Sequence, residues 1–116
     1  MKVIDGELTE TTYSWPKRGK IDMVLGSDSE KDFDQKVPNY QHMNVEAEKT
    51  LKCNQVTYIS DQIGLHRVGN KSDRPAVSLH LYTPPYSTCQ LFDEKTGKCH
   101  PSAKCNFFSK DGHILP

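Results

Sequence analysis

Ala76-Val77-Ser78-Leu79-His80-Leu81-Tyr82 alternates strictly between two kinds of side chain. In an extended strand this puts Ser78, His80 and Tyr82 on one face and Val77, Leu79 and Leu81 on the other. Residues two apart on a strand sit about 7 Å apart, near enough for a hydroxyl, an imidazole and a phenol to form a hydrogen-bonded row. The stretch reads either as the wall of an active site or as the solvent face of a half-exposed antiparallel strand. Either way its period is that of a strand, and the segments around it repeat that period.

Just upstream, Val56 to Ser60 and Ile63 to Val68 are β-rich runs separated by Asp61 and Gln62, and Gly69 to Pro75 is a turn cluster. Downstream, Thr83-Pro84-Pro85 ends the strand, because proline has no N–H for a ladder. Cys89 to Phe92, a turn at Asp93 to Gly97, and Ala103 to Phe108 continue the meander. At the beginning, Met1 to Ile4 and Glu7 to Trp15 flank Asp5-Gly6, a hairpin-type turn signal, with Tyr13 and Trp15 on the face of Thr9 and Thr11. Strand after strand with short turns predicts an all-β sandwich or barrel.

Two segments depart from this pattern. From Lys17 to about residue 45 the sequence is polar and turn-rich, a loop or insertion with an acidic-serine patch from Ser27 to Asp34. Between Met43 and Cys53, Val45, Ala47 and Leu51 alternate with Glu46, Glu48, Lys49 and Lys52, which predicts a short exposed helix.

At 116 residues, 34% hydrophobic and 26% charged, the chain makes one domain with an economical core. Fifteen basic and fifteen acidic side chains cancel, and no basic cluster carries interleaved aromatics, so neither nucleic acid nor an anionic membrane is implied. No apolar run approaches the roughly 20 residues of a membrane span, and no signal peptide is evident. The chain reads as cytoplasmic, with Cys53, Cys89, Cys99 and Cys105 as reduced thiols.

His66, in Ile63-Gly64-Leu65-His66-Arg67-Val68, is the candidate metal ligand. Imidazole suits iron, copper or zinc, and the nearby glycine allows close backbone approach. A hydrogen-bonded structural histidine is the plainer reading of the same residue. A tight turn joins the His66 strand to the Ser78/His80/Tyr82 strand, so the two are expected to be adjacent and to face one cavity. His66 would then hold a metal while Ser78 holds His80 and His80 holds Tyr82.

The stretches Tyr58-Ile59-Ser60-Asp61-Gln62-Ile63-Gly64-Leu65-His66-Arg67-Val68, Pro75 to Pro85 and Thr88-Cys89 closely resemble the C-terminal half of cysteine dioxygenases. The resemblance also takes in Leu8 to Pro16, the Phe92 to Gly97 turn and Phe108-Ser109-Lys110. It implies a cupin, a jelly-roll-like β-barrel whose mononuclear non-haem Fe2+ is held by three histidines. The implied reaction converts L-cysteine and O2 to cysteine sulfinic acid, a step of cysteine catabolism, and a complete member is expected to be monomeric.

By resemblance His66 is the third iron ligand, and Ser78, His80 and Tyr82 match the family's relay. Tyr82 corresponds to the tyrosine that many members link to a cysteine by a thioether bond. Cys89 falls near the substrate pocket and Cys105 where a pocket-lining residue is expected. The family's His-x-His pair, its cross-linking cysteine and its carboxylate-binding arginine would precede the segment matching Met1. His42, His100 and His113 do not stand in His-x-His spacing, and none of the four cysteines matches the cross-link position.

The sequence is therefore expected to be a truncated product or an incomplete gene model: one partial cupin domain over 1–116, incomplete at its N-terminus. Such a chain is expected to expose sheet edges and to be inactive alone, because one imidazole does not hold a catalytic metal. Other readings are a dioxygenase of 3-mercaptopropionate, a non-catalytic cupin acting as a binding partner, and a zinc-binding module built on Cys89, Cys99, His100 and Cys105. The last has unusual ligand spacing.

Overall fold

The computed structural model describes residues 1–16, 42–104 and 106–116. Among the described residues are nine strands and no helix: β1 (Lys2–Asp5), β2 (Glu7–Tyr13), β3 (Val45–Lys52), β4 (Leu65–Gly69), β5 (Val77–Leu79), β6 (Gln90–Phe92), β7 (Cys99–Pro101), β8 (Ser109–Lys110) and β9 (His113–Ile114). They form an antiparallel sheet in the order β3-β2-β4 and the two-stranded pairs β1-β5, β6-β7 and β8-β9. The described residues are all-β, as the alternation predicts, and these sheets do not close on one another into a barrel.

β2 is the centre. It pairs with β3 from Glu7 opposite Lys52 to Tyr13 opposite Val45, and with β4 from Thr9 opposite Gly69 to Tyr13 opposite Leu65. Flanked on both edges, β2 buries Leu8, Thr9, Glu10, Thr11 and Tyr13. Leu8 and Leu51 are opposite each other, and with Val3 of β1 they make the core, with Met1, Val68 and Ala76 packed against it.

The helix expected at 43–53 is strand β3. Its charges do not pair along a helix: Lys49 pairs across the sheet with Glu10, while Glu48, opposite Thr11, accepts from the Thr11 hydroxyl and pairs with Lys71. Leu51, opposite Leu8, is the residue of β3 that enters the core, and cross-strand contacts override a local charge pattern that suits either structure.

β1 and β2 likewise do not form a hairpin. A two-residue hairpin turn of type I′ or II′ needs positive φ at its first central residue, and here Gly6 has φ 72 while Asp5 is not in that region. The Gly6 corner instead passes the chain from the β1-β5 pair to the central sheet, with Pro75 O so near that a Cβ on Gly6 would lie 2.7 Å from it.

Val56 to Ser60 contributes one bridge, Val56 to Lys2, and the Thr57 N–H donates to Met1 O at 2.9 Å. The chain then curls at Ser60, whose carbonyl accepts from the N–H groups of Ile63 and Gly64. β5 is shorter than its alternation suggests, because the ladder with β1 runs only from Val77 opposite Asp5 to Leu79 opposite Lys2. Ser78 lies opposite the fully buried Val3, so the polar face of β5 is the inward one and Val77, Leu79 and Leu81 are exposed.

The β6-β7 hairpin turns at Asp93, whose Oδ1 accepts from the Thr96 and Lys95 N–H groups and from the Thr96 hydroxyl. Those donors, the Thr96 N–H foremost, hold the Asp93 carboxyl below its ordinary pKa. Glu94 ties this hairpin to the central sheet, accepting from Tyr13 OH at 2.7 Å and from Arg67 through both Nε and a terminal nitrogen. Trp15 meets Phe92 edge to face at 5.7 Å.

Of the run expected from Ala103 to Phe108, the described residues 103, 104 and 106–108 are not strand; the last pairing among the described residues is instead β8 with β9 around Asp111-Gly112. Both turn residues have positive φ, as a primed turn requires. The polar stretch expected at 17–45 lies, over 17–41, outside the described residues.

Candidate functional site

Two groups of side chains carry chemistry. The first is built on the central sheet around Glu10. Lys49 stands directly opposite Glu10 on β3, and His66 on β4 stands opposite Thr12, hence diagonal to Glu10 on the same face. The Glu10 side chain is 1% exposed, and three groups converge on it. Lys49 Nζ lies 3.0 Å from Oε2, Thr57 Oγ1 donates to Oε2 at 2.6 Å, and His66 Nδ1 lies 2.8 Å from Oε1.

Burial alone would raise the Glu10 pKa, but the hydrogen bonds from Thr57, His66 and Lys49 and the charge of Lys49 outweigh it and hold the carboxyl below its ordinary range. An ionised carboxylate has only lone pairs to offer, so His66 donates through Nδ1. Among the described residues nothing engages Nε2 of His66, and the ring is 28% exposed.

The second group lies on and just beyond β5. Ser78 Oγ and His80 Nε2 are 2.9 Å apart and share a hydrogen bond. His80 and Tyr82 are joined differently from the expected row: their rings stack at 6.2 Å with 15° between planes. Tyr86 meets Tyr82 edge to face at 5.3 Å, and Tyr82 is 60% exposed. The sequence places Ser78, His80 and Tyr82 together, and the structure joins the first pair by a hydrogen bond and the second by ring contact.

The expected adjacency of the His66 and Ser78 strands is not what the ladders give. β4 pairs with β2 and β5 pairs with β1, so the two strands belong to different sheets. The Gly69 to Pro75 segment is not a tight hairpin turn; Asn70 organises it, accepting from Ser72 and donating to Arg74 O.

Cys89 is exposed; its N–H donates to Ser102 Oγ at 3.0 Å and its carbonyl accepts from the Ser102 N–H at 2.7 Å. Cys105 lies outside the described residues. Cys99 and His100 are on β7 and the Cys99 thiol meets Gln90 Oε1 at 3.0 Å. Among the described residues no three His, Cys, Asp or Glu side chains gather as a metal site, Cys89, Cys99 and His100 included.

Sequence reading misses Glu10, Lys49 and Thr57. The available signal is a lone carboxylate in the middle of Leu8-Thr9-Glu10-Thr11-Thr12-Tyr13, a run otherwise suited to burial. Its partners are distant in the chain, Thr57 by 47 residues and His66 by 56.

Comparison with known proteins agrees with this architecture. A family model described as cysteine dioxygenase type I matches residues 1–95. The chain is 42% identical over 117 aligned positions to cysteine dioxygenase type 1 of Rattus norvegicus and equally to that of Homo sapiens, and 38% identical to that of Danio rerio. Each alignment covers 100% of this chain and 48% of the relative, so the chain spans about half the length of the curated relatives it matches. These are oxidoreductases of the dioxygenase class on the cupin fold, a metalloenzyme family. Matched over most of its length and all-β throughout the described residues, the chain belongs to the cysteine dioxygenase type I family.

Proposed function

We propose that this chain supplies part of a thiol dioxygenase that converts L-cysteine and O2 to cysteine sulfinic acid. The observation that carries the reading is the 42% identity across the whole chain to proteins named cysteine dioxygenase type 1. The reaction balances without a further reductant: sulfur gives up four electrons, O2 accepts them, both oxygen atoms end on sulfur, and the thiol proton remains with the sulfinic acid.

The residues present fit one ligand's share of a non-haem iron site. His66 has its Nδ1 committed to Glu10, which leaves Nε2 as the donor nitrogen. The other ligands are not among the described residues. Ferrous iron, when bound, would supply redox chemistry with O2 and a binding position for the thiolate. Tyr82 would donate its phenolic hydrogen to the substrate carboxylate, with the His80 ring stacked on one side and the Tyr86 ring at its edge restricting where the phenol points. Ser78 in turn fixes the His80 imidazole. Cys89 and Cys105 would border the substrate.

In the same reading the chain is one cupin domain over 1–116 in which 17–45 is a polar loop or insertion that gives way to β3 at Val45, the protein is cytoplasmic, and its complete form is monomeric. Among the described residues no helix is long and apolar enough to cross a membrane. The test is a fusion of this chain to the uncovered half of the rat relative. It should bind about one ferrous ion and consume O2 in proportion to cysteine sulfinate formed. A folded fusion that consumes O2 with 3-mercaptopropionate but not with cysteine would redirect the substrate assignment.

A further inference from the structure

We infer that Glu10 is a positioning residue for the metal site: it fixes His66 with the proton on Nδ1, so that Nε2 is the nitrogen offered to the metal. The inference deepens the reading of His66 as a ligand and rests on it.

Donors and acceptors around the carboxylate decide the tautomer. Glu10 Oε2 already receives the Thr57 hydroxyl at 2.6 Å and Lys49 at 3.0 Å, both obligate donors toward a carboxylate. Oε1 is left for the imidazole at 2.8 Å. With both oxygens accepting, the ring must present N–H at Nδ1, and its lone pair then sits on Nε2. A carboxylate this deep in a sheet is a poor stabiliser compared with an apolar side chain of similar volume, since it gives up its solvation while Lys49 stays half exposed. What Glu10 provides that an apolar residue cannot is a fixed orientation and tautomer for His66. Lys49 and Thr57 act through Glu10, holding its carboxylate plane so that Oε1 faces β4.

Substituting Glu10→Gln makes a sharp prediction. Lys49 and Thr57, being donors, draw the amide oxygen to their side, and the amide NH2 then faces His66. The imidazole has to accept at Nδ1, and its proton moves to Nε2.

The test is nitrogen-15 imidazole NMR on the 116-residue chain at a pH where the ring is neutral, with His66 signals identified by their loss in His66→Gln. The unsubstituted chain should show His66 as the Nδ1–H tautomer, and Glu10→Gln should invert it to Nε2–H. Lys49→Met, which leaves Thr57 and Glu10 in place, should keep Nδ1–H. An Nε2–H tautomer or the mixture of an unstructured histidine at His66 in the unsubstituted chain overturns the inference, as does an unchanged tautomer in folded Glu10→Gln. If Glu10→Gln does not fold, the tautomer of the unsubstituted chain decides alone. In the fusion, Glu10→Gln should also weaken ferrous iron binding by about 10- to 100-fold in equilibrium dialysis. Iron retained after His66→Ala would instead remove the ligand reading and leave the tautomer result standing.

Discussion

Truncating Glu10 to alanine removes the group on which Lys49, Thr57 and His66 converge, and the cost follows from how buried each partner is. Thr57 is buried, and an orphaned hydroxyl there costs about 1–3 kcal/mol. His66 is 28% exposed and loses one charge-assisted hydrogen bond that water partly replaces, about 1 kcal/mol. Lys49 is 51% exposed and returns to solvent, so its ion pair counts for well under 1 kcal/mol. Relief of the carboxylate's own desolvation offsets part of this, leaving a net loss of about 2–3 kcal/mol.

The assay is urea unfolding followed by circular dichroism. For a slope of about 1.5 kcal/mol per molar urea, Glu10→Ala should lower the midpoint by about 1.3–2 M, against about 0.5 M or less for Lys49→Met. Equal shifts from the two substitutions, or no shift from Glu10→Ala, would refute the view that the buried carboxylate is held mainly by Thr57 and His66 rather than by charge.

Three further outcomes are expected. The Glu10 pKa is depressed in the folded chain, so its contribution to stability is present above the unfolded value of 4.5 and is lost as pH falls through the lower folded value; urea midpoints should drop across that acid window and drop less in Glu10→Gln. Gly6→Ala should destabilise by about 2 kcal/mol, because φ is 72 there and the new Cβ would meet the Pro75 carbonyl oxygen at 2.7 Å; an unchanged thermal midpoint would contradict the corner geometry. In the fusion, Tyr82→Phe should leave iron content unchanged while slowing sulfinate formation, measured by metal analysis beside turnover; lost iron would remove the orienting role from Tyr82.

Much of the fold is legible because alternation is local. The strands around His66, Leu8 and Leu91 and the Asp93 to Gly97 turn all follow from side chains within a few residues of one another. β3 is not legible in that way. Glu46, Glu48, Lys49 and Lys52 carry charges whose partners could lie one helical turn away or across a sheet, and only the register with β2 decides. The Asp5-Gly6 turn is visible as a turn, but which strands it joins depends on β5, some 70 residues later.

The same distinction governs the site. Ser78, His80 and Tyr82 are visible because one strand carries all three, and His66 because imidazole beside glycine draws attention. Glu10 is hidden because its meaning lies in Lys49, Thr57 and His66, which reach it from β3, a loop and β4. Family resemblance proposes His66 as a ligand, whereas the packing shows what orients its ring.

The most direct measurement is ferrous iron content and sulfinate yield in the fusion of this chain with the uncovered half of the rat relative, with and without His66→Ala. About one iron per chain and one sulfinate per O2 consumed, both lost on His66→Ala with the fold intact, is the predicted result. Iron and turnover that survive the substitution would contradict the account.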